Sequence, residues 1–205
     1  MLKSKGFDLW AENYDKEVGI SDEEGSYPFA GYKEVLNTIY QRILASDSKT
    51  VLDIGFGTGV LAYRLYENGC CIYGQDFSRK MIETAQKKMP DAILLEGDFT
   101  QGLVEPLIRK KYDAIVATYS LHHLTDEQKV SFIHSLVSLL SEHGCIYIGD
   151  IAFENRLAME QCKEAFKDRW DEDEIYFVIE ELKQWFPALE FEKISFCAGL
   201  ILLKK

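Results

Sequence analysis

The sequence predicts an α/β fold in which a mostly parallel sheet is wound on both faces by helices, and three observations lead there. Five short apolar runs alternate with segments of helical periodicity. The runs are continuously apolar rather than alternating, the pattern of strands covered on both faces. The first run also leads directly into a glycine-rich turn that opens a helix. With 205 residues, 47% hydrophobic and 28% charged, the chain has a globular composition and the length of a single domain, enough to bury about 70% of its unfolded surface.

In chain order, Phe29 to Leu44 sets Phe29, Tyr32, Leu36, Ile39, Tyr40 and Ile43 at helical spacing. Val51 to Ile54 is the first strand, and Leu61 to Asn68 is a helix closed by Gly69 in the C′ position. Cys70 to Tyr73 is the second strand, followed by a helix from Ser78 to Lys88 that stops before Pro90. Ala92 to Leu95, Ala114 to Ala117 and Cys145 to Ile148 are the third to fifth strands. Between the last two, Thr125-Asp-Glu-Gln128 reads as a capping box. It opens a helix with an apolar stripe of Val130, Ile133, Val137 and Leu140, which Gly144 is expected to end.

Beyond the fifth strand, Leu157 to Trp170 places Ala158, Cys162, Ala165 and Phe166 on one helical face, and Ile175 to Trp185 continues helically until Pro187. Asp171-Glu-Asp-Glu174 reads as acidic capping of that second helix. Leu189 to Phe196 and Leu200 to Leu203 read as strands joined by Cys197-Ala198-Gly199 alone. A parallel crossover needs about a dozen residues, so this last pair is antiparallel. The polar stretch Lys16 to Pro28 reads either as a lid or as an ordinary connector.

A formal net charge of −11 disfavours a nucleic-acid partner, because phosphate binding needs a basic face. The densest basic run is only Arg109-Lys110-Lys111. No apolar run approaches the roughly 18 residues of a membrane span, and Met1-Leu-Lys-Ser-Lys-Gly leads into no signal-peptide core, so a cytoplasmic protein is expected. The five cysteines lack paired metal spacing, which suits reduced thiols; no metal site is expected. The vicinal Cys70 and Cys71 read as buried small hydrophobes opening a strand.

The chemistry concentrates in Val51-Leu-Asp-Ile-Gly-Phe-Gly-Thr-Gly59. A dinucleotide fingerprint reads G-x-G-x-x-G, whose third glycine would fall at Val60. The order here is D-x-G-x-G-x-G, with Asp53 inside the strand, where an uncompensated charge is costly; a cationic ligand would compensate it. In doubly wound sheets, ligands bind outside the carboxyl ends of the strands. Asp76 falls on that edge, about twenty residues past the first glycine, where a carboxylate takes ribose hydroxyls. His122, His123 and Asp150 follow strands on the same edge and are the candidate general bases.

These segments together resemble the class I S-adenosylmethionine-dependent methyltransferases over roughly residues 45 to 150. The glycine turn is similar to the family's first motif, Ile72-Tyr-Gly-Gln-Asp76 to its second, Gly97-Asp98-Phe99 to its third, and Tyr112 through Leu124 to its fourth. Trp10-Ala-Glu-Asn-Tyr14-Asp15 is similar to a cofactor-covering helix. The resemblance implies a Rossmann-like, seven-stranded sheet in the order 3-2-1-4-5-7-6 with strand 7 antiparallel. It implies one domain over 1–205, with N-terminal helices and the possible lid in 1–45, a cofactor core in 46–150, and substrate-side helices and a hairpin in 151–205.

The implied cofactor is S-adenosylmethionine, and the expected partner is a small-molecule methyl acceptor. Gly55, Gly57 and Gly59 would form the turn beneath it, and Asp76 would hold the ribose. Phe77 and Met81 would flank the adenine, with Gly97, Asp98 and Phe99 at its edge. Asp53, Thr58 and Ala117 would surround the methionine end, and Tyr14 would cover it. Tyr27, Tyr32 and Tyr119 are candidates for an aromatic acceptor pocket, packing being the alternative. Two rivals remain: a non-catalytic module binding S-adenosylmethionine or S-adenosylhomocysteine, and an NAD-linked oxidoreductase disfavoured by Val60.

Overall fold

The computed structural model describes residues 25–205; Tyr14, the element around it, and residues 16–24 of the expected lid lie outside the described residues. The strands β1 (Thr50–Ile54), β2 (Cys71–Asp76), β3 (Ile93–Glu96), β4 (Tyr112–Thr118), β5 (Leu140–Phe153), β7 (Glu190–Lys193) and β8 (Ala198–Lys204) form one sheet in the order β3-β2-β1-β4-β5-β8-β7. β1 to β5 run parallel, and β8 pairs antiparallel with both β5 and β7. This is the implied seven-strand order, with one addition. A two-residue strand, β6 (Phe177–Val178), pairs in parallel with Ala152 and Phe153 at the end of β5.

The continuous apolar runs are explained by two separate cores. Val51, Ala114 and Val116 join one cluster with Val35, Ile39 and Leu65; their neighbours Leu52, Ile54, Ile115 and Ala117 join another with Ile133 and Leu136. Successive strand residues point to opposite faces, so both faces need apolar cover. The first cover contains α1 (Tyr32–Ala45), α2 (Val60–Glu67) and α3 (Arg79–Lys88); the second contains α4 (Glu105–Ile108) and α5 (Asp126–Ser138). The Thr125 and Gln128 side chains form the expected reciprocal capping box on α5.

Several boundaries differ from the sequence reading. α5 ends at Ser138, and Leu140 opens β5 opposite Tyr112. Gly144 therefore lies inside β5 beside a register shift, where a Cβ would stand 2.8 Å from the Tyr112 carbonyl oxygen. It accommodates a bulge and ends no helix. The helix expected over Leu157 to Trp170 is α6 (Arg156–Ala165), capped by the Asn155 side chain, which accepts from the Ala158 N–H at 2.9 Å. Ile175 to Trp185 contains β6 and only the short α7 (Ile179–Leu182), because pairing with β5 captures Phe177 and Val178. Cys70 is buried as expected, whereas Cys71 is exposed; all five cysteines are free thiols.

Candidate active site

The site is built on the carboxyl ends of β1, β2, β4 and β5. After Ile54 the chain leaves the sheet through Gly55 and Gly57, with φ of +67° and +56°, values that favour glycine. The Gly55 N–H donates to the Gln75 carbonyl at 2.8 Å, tying the turn to β2. At Gly55 a Cβ would stand 2.6 Å from the Ser120 Cβ, whereas at Gly57 it would meet nothing within 4 Å. Ser120 closes the back of the turn by donating to the Ile54 carbonyl at 2.9 Å. Gly59 precedes α2 and lies against Ala85 and Met89, and the Lys88 ammonium donates to the Thr58 carbonyl at 3.1 Å.

Asp76 ends β2 and is 4% exposed. Its two carboxylate oxygens accept from the Gly57 N–H and the Ser78 N–H, each at 2.8 Å. The turn and the carboxylate thus hold one another in place. A cleft of about 450 Å³ opens above them, with Gly55, Gly57, Asp76, Phe77, Met81 and Phe99 along one side. Asp98, next to Phe99, is exposed, accepts from the Thr100 N–H at 2.9 Å and is not among the cleft's lining residues. Gly97 packs against Val104 and Gln75. Gln75 is fully buried and clamps that loop by bonding Val104 N–H and the Gly102 carbonyl.

Asp53 is different in kind. It is 1% exposed, and its Oδ1 finds no hydrogen-bond donor among the described residues. Burial, with the nearby Asp76 charge adding to it, pushes its carboxyl up to about 8. A void of about 20 Å³ adjoins it, lined by Tyr32, Leu36, Gly57, Thr58 and Thr118. Such an orphaned carboxylate beside a glycine cradle is the arrangement that a cationic ligand group would complete. Ala117 is buried at the end of β4, paired with Ile54 and Ile148, and lines neither space.

The other wall of the cleft comes from the segments after β4 and β5. The His122 Nδ1 lies 2.7 Å from an Asp150 carboxylate oxygen. Asp150 is fully buried and also accepts from the backbone N–H groups of Leu121 and Ile151. With this carboxylate accepting from Nδ1, the other ring nitrogen, Nε2, lies 3.4 Å from Glu174 Oε1. Burial opposes the charged imidazole, but Asp150 and Glu174 outweigh it and raise the His122 pKa. His123 packs edge-on at 4.3 Å between ring centroids. Burial and the neighbouring His122 charge hold His123 down at about 4.

Sequence reasoning missed Glu174 and misread its neighbourhood. Asp171, Asp173 and Glu174 line the cleft and cap no helix. The Ile175 N–H donates to the His122 carbonyl at 2.8 Å, and the buried Lys129 ammonium bonds the Ile175 carbonyl, so this loop is pinned across the histidines. Of the three tyrosines, only Tyr119 lines the cleft. Tyr32 borders the void, and Tyr27 is 1% exposed, stacked on Trp170 at 5.6 Å with its hydroxyl on that of Tyr176. The hydrogen-bond network that buries Tyr27 joins residues 149 positions apart, beyond the reach of any local signal.

Comparison with known proteins identifies the family and the fold. A model of a methyltransferase domain matches residues 51–144. An uncharacterized methyltransferase of Geobacillus sp. (strain WCH70) is 38% identical over 164 residues, covering 80% of this chain and 74% of that protein. Another, from Anoxybacillus flavithermus (strain DSM 21510 / WK1), is 36% identical over 184 residues, covering 90% of this chain and 84% of that one. In fold, the chain is similar to magnesium protoporphyrin IX methyltransferase from Synechocystis PCC 6803 with bound SAH. The TM-score is 0.68 at 18% identity, over 86% of this chain and 84% of that one.

Proposed function

The chain belongs to the class I S-adenosylmethionine-dependent methyltransferases, and from that premise we propose that it methylates a small-molecule acceptor whose proton passes to His122. The observation that carries this reading is the 2.7 Å contact between His122 and Asp150, in the wall of the cleft whose opposite wall is the glycine turn and Asp76. When bound, S-adenosylmethionine supplies a methyl group on a sulfonium, already activated for in-line displacement. The protein's task is then mainly alignment, worth roughly 7–11 kcal/mol of barrier.

Asp76, pre-set by two backbone donors, accepts the ribose hydroxyls. Phe77, Met81 and Phe99 enclose the adenine, with Asp98 at its edge. Asp53 and Thr58 would face the methionine end, where its cationic ammonium group would satisfy the orphaned Asp53 oxygen. His122 Nε2 takes the acceptor's proton, and Asp150 stabilises the resulting imidazolium. His123, held neutral, lines the cleft beside it. Tyr119 and Pro28 bound the acceptor's space.

A volume of about 450 Å³ lies within the range of small-molecule sites, and the net charge of −11 argues against a polyanionic acceptor. Five free thiols support a reducing, cytoplasmic setting; among the described residues, no helix is long and apolar enough to cross a membrane. Transfer of labelled methyl from S-adenosylmethionine to a metabolite panel tests the reading. With an acceptor found, His122→Asn should lower kcat by about 10²–10⁴-fold while leaving S-adenosylhomocysteine binding intact. An unchanged kcat would remove His122 from the proton path.

A further inference from the structure

Three electron-pair donors converge in the acceptor half of the cleft. One ligand atom each from His122, His123 and Glu174 lies within 4.8 Å of the others, and all three residues line the cleft. We infer that this cluster binds a divalent transition-metal ion of the zinc type, with His122 Nε2, His123 and Glu174 as its protein ligands and its remaining position open to the acceptor.

The distances support an ion. A tetrahedral centre with N and O ligands at about 2.0–2.2 Å separates those ligands by roughly 3.3 Å. His122 Nε2 and Glu174 Oε1 stand 3.4 Å apart, so the first two ligands are already spaced for it, and a ligand atom of His123 lies within 4.8 Å of the others. The surrounding bonds point the same way. Asp150 takes the other nitrogen of His122 at 2.7 Å, the carboxylate–histidine support that orients metal-bound imidazoles and raises their basicity. Tyr176 donates to the second oxygen of Glu174 at 2.8 Å, leaving Oε1 turned to the histidines. Two imidazoles and one carboxylate suit borderline divalent ions, and three protein ligands with an open position are the composition of a catalytic rather than a structural site.

The acceptor-activating role rests on the methyltransferase reading; the ion site does not. In the metal-free protein the acceptor's proton passes to His122 as proposed above; with the ion in place, His122 Nε2 is a ligand and the ion takes over activation of the acceptor. An acceptor hydroxyl or thiol bound at the open position gives its proton to solvent instead, since such an ion brings the pKa of a bound group toward 7. The acceptor atom then forms its bond to the methyl carbon as the carbon–sulfur bond breaks, and sulfur keeps that electron pair as a neutral thioether.

The test uses the full chain, stripped with a chelator and titrated with Co²⁺, a spectroscopic stand-in for Zn²⁺. One equivalent should bind and give the visible absorption of a four-coordinate N/O site, and Zn²⁺ should displace it. His123→Gln and Glu174→Gln should each weaken Co²⁺ by at least about tenfold, the scale on which even supporting residues act. Calorimetry with S-adenosylhomocysteine runs in parallel to establish that each variant is folded and to test the cofactor reading separately. No Co²⁺ uptake by wild-type protein that binds S-adenosylhomocysteine would overturn the inference, as would unchanged Co²⁺ affinity in both variants. Co²⁺ uptake without S-adenosylhomocysteine binding would sustain the ion site and sink the methyltransferase role.

Discussion

Asp53→Asn should stabilise the ligand-free protein and weaken its cofactor, and the size of the first effect follows from the structure. Asp53 is buried with one oxygen unpartnered, and its carboxyl is pushed from 3.8 up to about 8 by burial first and by Asp76 second. Between those values, the folded chain keeps a proton that the unfolded chain releases. Stability therefore falls as pH rises from about 4 to about 8 and levels off above, the sign expected for a carboxyl whose folded pKa is raised. At pH 7 the proton costs about 1.4 kcal/mol for each unit above the unfolded value, on the order of 4 kcal/mol in all. Asn has the shape of the protonated acid and does not titrate.

Urea denaturation of wild-type and Asp53→Asn proteins at pH values from about 4.5 to 8.5 measures this directly. The difference between them should be near zero at the acid end and grow to several kcal/mol in favour of Asn at pH 8, other titrating groups cancelling in the comparison. Calorimetry should show the reverse for binding: S-adenosylmethionine weakened by about tenfold or more, since a charge-assisted hydrogen bond contributes about 1.5–3 kcal/mol. Wild-type binding near pH 7 should also release a proton, visible as a dependence of heat on buffer. A stability difference independent of pH would refute the assignment of Asp53 as a destabilised carboxyl awaiting a cation.

Asp76→Asn should weaken S-adenosylhomocysteine by roughly tenfold to a hundredfold through lost charge on the ribose hydrogen bonds; an unchanged dissociation constant in calorimetry would move the ribose elsewhere. Gly55→Ala and Gly57→Ala should separate stability from binding. The first drives a Cβ to 2.6 Å from Ser120 at a φ of +67° and should lower stability in urea by more than the roughly 1 kcal/mol that a left-handed alanine costs. The second meets nothing within 4 Å, so it should cost only that strain while obstructing the cofactor; equal stability losses would show that the Ser120 contact is immaterial. Thr125→Ala removes the cap on Gln128 N–H and should cost about 0.5–2 kcal/mol in thermal denaturation with no change in cofactor affinity, a loss of affinity showing instead that α5 is coupled to the cleft.

The parts of this fold that were legible in the sequence are those whose signal is local. β1 to β5 announce themselves because each must satisfy two cores at once, as Val51 and Leu52 do. The D-x-G-x-G-x-G turn and the Thr125 box are legible because their residue types act within a few positions of themselves. β6 was not legible: Phe177 and Val178 are held by Ala152 and Phe153, and two residues have no periodicity. Asp171 to Glu174 has the composition of a helix start, yet the Ile175 N–H is drawn to His122 and Phe177 to β5, so no helix follows it. Glu174 consequently joins histidines some fifty positions away, and no ligand spacing in the sequence points to them.

The carboxylates Asp53, Asp76 and Glu174 are distinguished by what already satisfies them, and this decides what each can receive. Asp76 accepts two backbone N–H groups, so its charge is stabilised before any ligand arrives; a neutral donor such as a ribose hydroxyl is an adequate further partner. Asp53 has an oxygen with no donor, and a low-dielectric surrounding penalises its charge until a positive group approaches. Glu174 is between these cases: Tyr176 satisfies one oxygen, burial raises its pKa against the pull of His122, and the other oxygen lies 3.4 Å from His122 Nε2. A proton or a metal ion between those two atoms satisfies both, whereas a neutral acceptor by itself does not. The site thus pairs a carboxyl that only a positive group can satisfy, at Asp53, with one already prepared by backbone donors for a neutral partner, at Asp76.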